Sequence, residues 1–338
     1  MLFKSQDIAI DLGTASILVY TKEKGIIINE PSVVAANSAT GKMIAVGQKA
    51  QDMLGRNPDE ITVIRPMRKG VISDFNSTTT LVKHILSKVC RWSFFKPRII
   101  VCIPSVITEV EQKAVVDAMV SGGARSAVLI EEPIAAAIGA GIDISKPSGH
   151  LVIDVGGGTT DIAVISLGSM VVHSSLKIAG DEFDQDIIKY VRKTHNMIIG
   201  ERMAEEIKKQ IGCVYPQTEQ SFMRVKGRSM ISGLPMEVTL TSDEMLYALK
   251  ETADTIVAGV KEILERTPPE LIGDISDSGA ILTGGGSLIK GLDRLVALET
   301  GLETKVADDA VSCVVLGAGK ALGEIELLSA ASQIRKRY

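Results

Sequence analysis

Residues Leu151–Ile165 read LVIDVGGGTTDIAVI: an apolar run, an aspartate, a turn of glycines and threonines, and a second apolar run. Residues Ile8–Tyr20 read IAIDLGTASILVY and repeat that order. A strand–turn–strand hairpin with small turn residues presents backbone N–H groups to an anion, because no Cβ blocks close approach. Gly156, Gly157 and Gly158 are consecutive, and each costs about 0.5–1 kcal/mol relative to Ala in regular structure. One such hairpin is a common structural turn. Two, with their aspartates 143 positions apart, point to a phosphate chain gripped from both sides of a cleft between two similar domains. Asp11 and Asp154 close the first strand of each hairpin. Their carboxylates would repel a bare triphosphate, and they make sense with a hydrated Mg²⁺ between them and the phosphates.

The bulk of the chain agrees with two cytosolic domains. It has 338 residues, 45% hydrophobic and 23% charged, which suits a folded protein of more than one core. A net charge of −4 argues against a general nucleic-acid binder. Cys90, Cys102, Cys213 and Cys313 form no CxxC pair, and such scattered thiols read as reduced. His84, His150, His173 and His195 are equally scattered, so no zinc site is expected. Only Met1–Phe3 are apolar before Lys4, which makes no signal peptide. No apolar stretch approaches the ~18–20 residues of a spanning helix, so membrane contact is expected to be peripheral.

Strands are expected at Ile8–Leu12, Ile17–Thr21, Ile26–Ile28, Ile99–Ile103 and Val128–Ile130. Between Pro31 and Pro66 short strand-like pieces and turns form a small subdomain. Leu81, Val82, Ile85, Leu86 and Val89 carry helical spacing. Further helices are expected over Glu109–Gly122 and Glu132–Ala140. The second half repeats this order after its hairpin: helices near Glu182–Thr194 and Met203–Ile211, turns from Pro216 to Pro235, and a long helix over Ser242–Arg266. Ser242 is the expected N-cap of that helix and Pro268-Pro269 its stop. A strand at Ile281–Leu282 enters Thr283-Gly284-Gly285-Gly286-Ser287, and a helix over Leu288–Glu299 follows. Strands alternating with helices imply parallel sheets with ligands at the strand ends.

Gly284, Gly285, Gly286 and Ser287 lie between a strand and a helix, where glycines let a flat base or sugar rest on the backbone. There is no G-x-x-x-x-G-K-[ST], which excludes a P-loop. Gly317-Ala318-Gly319 lacks the dinucleotide spacing and reads as close helix packing. Glu132 stands at a helix start before Pro133, where a carboxylate near a terminal phosphate can polarise water. The plainer alternative is that Glu131 and Glu132 complement the helix dipole.

These features together resemble the actin, Hsp70 and sugar-kinase ATPase superfamily. Within it the chain is similar to the MreB, Mbl and MreBH family of bacterial actins. The matching stretches are IDLGTA, NEPSVVA, RPM-x-x-GVI, IEEP-x-AAAIG, GGGTT, IGER, GLP, ERTPPEL and LTGGG, from residue 8 to about 322.

The resemblance implies an α/β actin-like ATPase fold, with two related domains flanking a nucleotide cleft. The first domain would cover 1–144, with an accessory subdomain at about 32–67, and be completed by a C-terminal segment at about 312–338. The second would cover 145–311, with its accessory subdomain at about 182–242. The resemblance further implies ATP and Mg²⁺ as ligands. Gly13, Thr14, Ala15, Gly156, Gly157, Gly158 and Thr159 would hold phosphates, with Asp11 and Asp154 on the metal through water. Glu132 would orient the attacking water, with Thr159 as a second positioning residue. The segment Glu205, Glu206, Ile207 and Lys208 would contact adenosine, and Gly284, Gly285, Gly286 and Ser287 would complete the pocket. Two positions depart from the pattern: Ser16 stands where many relatives have Asn, and Asp161 where many have Glu.

Lys88–Arg98 read KVCRWSFFKPR. Trp92, Phe94 and Phe95, ringed by Lys88, Arg91, Lys96 and Arg98, suit the headgroup region of an anionic membrane. They equally suit a core, and the family's use of an apolar loop here favours membrane. The implied function is an ATP-dependent filament on the inner face of the cell membrane, cytoplasmic and peripheral. It would partner with itself, with the anionic lipid surface and with cell-wall elongation membrane proteins, and with no nucleic acid. Slow ATP hydrolysis would accompany polymerisation, and the filament would organise wall synthesis and rod shape. The alternatives are a plasmid- or organelle-positioning filament, a chaperone-type ATPase, or a small-molecule kinase of the same superfamily.

Overall fold

The computed structural model describes residues 7–90 and 95–325. Two five-stranded sheets dominate it. The first runs in the order Ser126–Glu131, Arg98–Ile103, Ile8–Leu12, Ser16–Thr21, Gly25–Pro31. The second runs Thr304–Val306, Ala280–Thr283, His150–Val155, Thr160–Ser166, Ser169–Leu176. Read this way the two sheets have one topology: two parallel strands laid against an antiparallel meander of three. The repeated hairpins of the sequence are thus the same corner of two copies of one design.

Each sheet buries one face under long helices. Leu81, Val82, Ile85 and Leu86 of the helix Phe75–Val89 pack with Val115 and Met119 of Glu109–Gly122 against Ile8, Ile10 and Val101. In the second half, Met245, Leu249, Ile256 and Val260 of Ser242–Arg266 cover Leu151, Ile153 and Ile162. Thr241, not Ser242, caps that helix, in a reciprocal box with Glu244. Pro268-Pro269 end it, but Pro269 also opens a new helix to Ser278, because a first-turn proline loses no hydrogen bond. Phe222–Ser229, expected as turns, is a strand paired with Pro235–Thr241. Its alternation is mostly polar because most of its side chains are exposed or half-exposed.

The facing sides of the two sheets enclose two short helices, Glu132–Gly139 and Cys313–Ala321. Ala135, Ala136 and Ala137 of one meet Val314 and Ala318 of the other, between Ala9 and Ile100 of the first sheet and Val152, Ala163 and Ile165 of the second. Small residues let these backbones touch. A Cβ on Gly139 would overlap the Cys313 carbonyl, and one on Gly317 the Ala135 carbonyl. Gly317→Ala should therefore destabilise the fold by about 1–3 kcal/mol or more. An unchanged urea midpoint in that variant would show that the helices can separate at no cost.

Two smaller sheets rise beside the cleft. One holds Val34–Asn37 between Met43–Val46 and Ile61–Ile64. The other holds Phe222–Ser229 between Met197–Ile198 and Pro235–Thr241, next to the helices Gly180–His195 and Glu201–Ile211.

Candidate active site

The two aspartate hairpins face each other across a cavity of about 700 Å³, within the ordinary range for a ligand site. At one edge of that cavity the second turn lies close against side chains of the first. A Cβ on Gly157 would come within 2.8 Å of Ala15 Cβ, and one on Gly158 within 2.6 Å of Thr14 Oγ1. The glycines are therefore required by the opposite half of the molecule as well as by any phosphate.

Asp11, Gly13, Thr14, Ala15, Glu132, Asp154, Gly156, Gly157, Gly158 and Thr159 all line the cavity. So do Gly284, Gly285 and Gly286 and, on the opposite wall, Glu205 and Lys208. Three expected residues do not. Ile207 is a core side chain with no exposed surface, as the helical period of Ala204, Ile207 and Ile211 demands. Glu206 points away and bonds Arg202 at 3.2 Å. Ser287 is buried, its hydroxyl donating to the Gly284 carbonyl at 2.6 Å, so it shapes the glycine turn from behind. The Lys208 ammonium donates to Asp184 Oδ2 at 2.9 Å and to the Gly180 carbonyl at 2.7 Å, using two of its three donors. Trp92 and Phe94 lie outside the described residues, and Phe95 is half exposed.

The cleft is strongly acidic. Burial, then the charge of Asp154, pushes the Asp11 carboxyl up to about 7. Burial pushes Asp154 to about 7 as well, against a 2.7 Å hydrogen bond from the Thr283 hydroxyl and with the charge of Asp161 adding to it. Burial, then the charges of Asp161, Asp11 and Asp154, holds Glu132 well above the usual carboxylate range. Asp161 is raised by burial in spite of the Ser105 hydrogen bonds. Four such carboxyls are costly together unless a cation or a protonated neighbour offsets them. Among the described residues no three His, Cys, Asp or Glu side chains are arranged to hold a metal ion. Asp11 and Asp154, two carboxyls lining one cavity, are hard oxygen donors of the kind that suit a divalent ion.

Sequence reasoning missed the cleft mouth. Arg65 reaches across to Asp181 at 3.6 Å and Glu201 at 3.9 Å, and it lines the cavity with Gln48, Gln51 and Asp184. Arg65 opens the RPM stretch, so the signal was present as a match without a role.

The chain is similar to known proteins over nearly its whole length. The family profile described as MreB/Mbl protein matches residues 5–330. The chain is 48% identical over 325 residues to the cell shape-determining protein Mbl of Bacillus cereus, covering 96% of this chain and 98% of that one. It is 48% identical over 329 residues to the cell shape-determining protein MreB of Escherichia coli, covering 96% and 95%. The crystal structure of MreB5 of Spiroplasma citri bound to ADP superposes with a TM-score of 0.92 at 40% identity, over 95% of this chain and 97% of that one. A MamK double helical filament subunit shares the fold, with a TM-score of 0.80 at 19% identity over 95% and 99%. With the duplicated sheet, the paired aspartate hairpins and a family match over nearly its whole length, this chain has the actin-like ATPase fold and belongs to the MreB/Mbl family.

Proposed function

We propose that the chain binds ATP with Mg²⁺ in this cleft, assembles head to tail into filaments, and hydrolyses the nucleotide slowly. The reading rests above all on the two glycine turns meeting across one cavity with Asp11 and Asp154 behind them. Backbone N–H groups of Gly13–Ala15 and Gly156–Thr159 would take the phosphates. Gly284–Gly286 would pack against the base or sugar, and Glu205 and Lys208 would bound it on the other side. Asp11 and Asp154 would hold Mg²⁺ through its waters, and the bound ion would neutralise phosphate charge. Glu132 would accept a hydrogen bond from the attacking water, and Thr159 would fix its second contact. The proposed domains are 1–144 completed by 312–338, and 145–311, so nucleotide would join two halves. The names of the relatives support cell-shape determination as the output, by organising wall synthesis with membrane partners on the cytoplasmic face of the cell membrane. A head-to-tail contact that does not close propagates into a filament. Electron microscopy of the purified protein with ATP on anionic liposomes tests this. Filaments lying on lipid are expected, and monomers under all nucleotide conditions would refute assembly.

Among the described residues no helix is long and apolar enough to cross a membrane. Attachment would use Trp92, Phe94 and Phe95, which basic residues flank in the sequence. Burying each ring contributes roughly 1.5–3 kcal/mol, and each flanking Lys or Arg about 1 kcal/mol on anionic lipid. That is weak for one subunit and strong for a filament that repeats the loop. Replacing all three aromatics with Ser should leave polymerisation intact and release filaments from liposomes in a sedimentation assay. Undiminished co-sedimentation would make these rings core residues.

A further inference from the structure

Glu132 and Thr159, the two residues assigned to the attacking water, sit on opposite halves of the molecule. Glu132 begins the helix after the first sheet, and Thr159 precedes the second strand of the second hairpin. Their separation depends on how the halves are held, and one direct tie lies beside them. The Ser105 backbone N–H and the Ser105 hydroxyl both donate to Asp161 Oδ1, each at 2.7 Å. Ser105 follows the first-half strand Arg98–Ile103 by one proline. Asp161 lies two residues beyond Thr159 and directly opposite Asp154 in the hairpin register. It has no exposed surface.

The neighbourhood is tight. A Cβ on Gly70 would come within 2.7 Å of Pro104 Cγ and 2.8 Å of Thr159 Cγ2, so the Pro104–Ser105 segment and the Thr159 side chain wedge the same glycine. The carboxyl of Asp161 is raised by burial, and hydrogen bonds from Ser105 and then from the Ser175 and Thr159 hydroxyls act against that rise. Removing this acceptor would strand both Ser105 donors, and a buried polar group left unpaired is costly. Burial, then the charge of Asp161, raises the Glu132 carboxyl.

We infer that Asp161 is a positioning residue for ATP hydrolysis: by clamping Ser105 across the gap between the halves, it sets Thr159 in register with Glu132. Nucleotide would bind through the glycine turns whether or not the clamp is made. Hydrolysis would require the clamp, because a misplacement of about 1 Å in such a pair costs on the order of 10²-fold. Closure of the halves and cleavage are thereby coupled through one hydrogen-bonded pair.

This inference rests on the hydrolysis reading above, and Glu132→Ala run in parallel separates the two. Phosphate release and Mg·ATP affinity would be measured for full-length Asp161→Ala, Asp161→Asn and Ser105→Ala. Asp161→Ala should lose tenfold or more in kcat while Mg·ATP Kd changes less than about threefold. Asp161→Asn, which can keep an acceptor toward both Ser105 donors, should recover most of the rate. Ser105→Ala, which keeps the backbone donor, should fall between wild type and Asp161→Ala, and it carries the test if Asp161→Ala does not fold. The inference is overturned if Glu132→Ala is inactive while Asp161→Ala and Ser105→Ala turn over within twofold of wild type. It is also overturned if Kd worsens in step with kcat, or if Asp161→Asn is as slow as Asp161→Ala.

Discussion

Glu132→Ala should cut phosphate release by about 10²-fold or more while Mg·ATP still binds. Binding would be spread over the glycine turns and the other walls of the cavity, of which Glu132 is one lining residue among many. Glu132 instead begins a helix at the cleft floor, and Pro133 at the next position fixes the entry of that helix. Removing this carboxylate should not unfold the protein. It has no role as a side-chain cap, and it is one of several mutually repelling buried acids, so the melting temperature should hold or rise. The pH dependence has a definite sign. A carboxyl raised by burial and neighbouring charge keeps its proton to higher pH, so the form able to accept a proton accumulates as pH increases. Hydrolysis should therefore climb with pH in the wild type, and Glu132→Gln should flatten that limb. Near-normal turnover of Glu132→Ala would remove this residue from the mechanism.

Asp154→Asn should abolish most of the Mg·ATP affinity with little effect on folding. The substitution can keep the acceptor for the Thr283 hydroxyl, 2.7 Å away, and it removes a carboxylate that burial has pushed up to about 7. The nucleotide-free protein should then be as stable as wild type or more so. A ligand present at a hundred times its Kd stabilises the folded state by about 2.7 kcal/mol, and that nucleotide-induced rise in melting temperature should vanish in the variant. Asp11→Asn should behave alike, since burial and then the charge of Asp154 raise the Asp11 carboxyl too. Calorimetric titration decides the matter: an unaltered Mg·ATP affinity in Asp154→Asn would show that the ion, if present, is held elsewhere.

What was legible in the sequence was whatever chemistry acts over a few residues. The strand Ile8–Leu12 and the helices Glu109–Gly122 and Ser242–Arg266 have the bounds their patterns implied, because period and terminal residues are written locally. Thr108 and Glu111 even form a reciprocal cap within four positions. The two aspartate hairpins were legible for the same reason, and their duplication carried the two-sheet architecture with it. Phe222–Ser229 escaped because its apolar alternation is short, only Met223 and Val225 facing the core, and pairing with Pro235–Thr241 makes it a strand.

The working geometry of the cleft was decided by tertiary structure alone. Arg65 meets Asp181, and Ser105 meets Asp161 across 56 positions of chain; nothing in either local pattern names the partner. Ile207 and Lys208 are neighbours in one motif, yet the turn of the helix sends the first into the core and the second to Asp184. Likewise the raised carboxyl of Glu132 follows from its burial and then from the charges of Asp161, Asp11 and Asp154, not from its place before a proline. Turn chemistry and hydrophobic period act through the backbone within a few residues. Charge coupling, burial and interdomain contacts depend on how two halves pack, and here that packing is set by Gly139 and Gly317 letting two helices touch between the sheets.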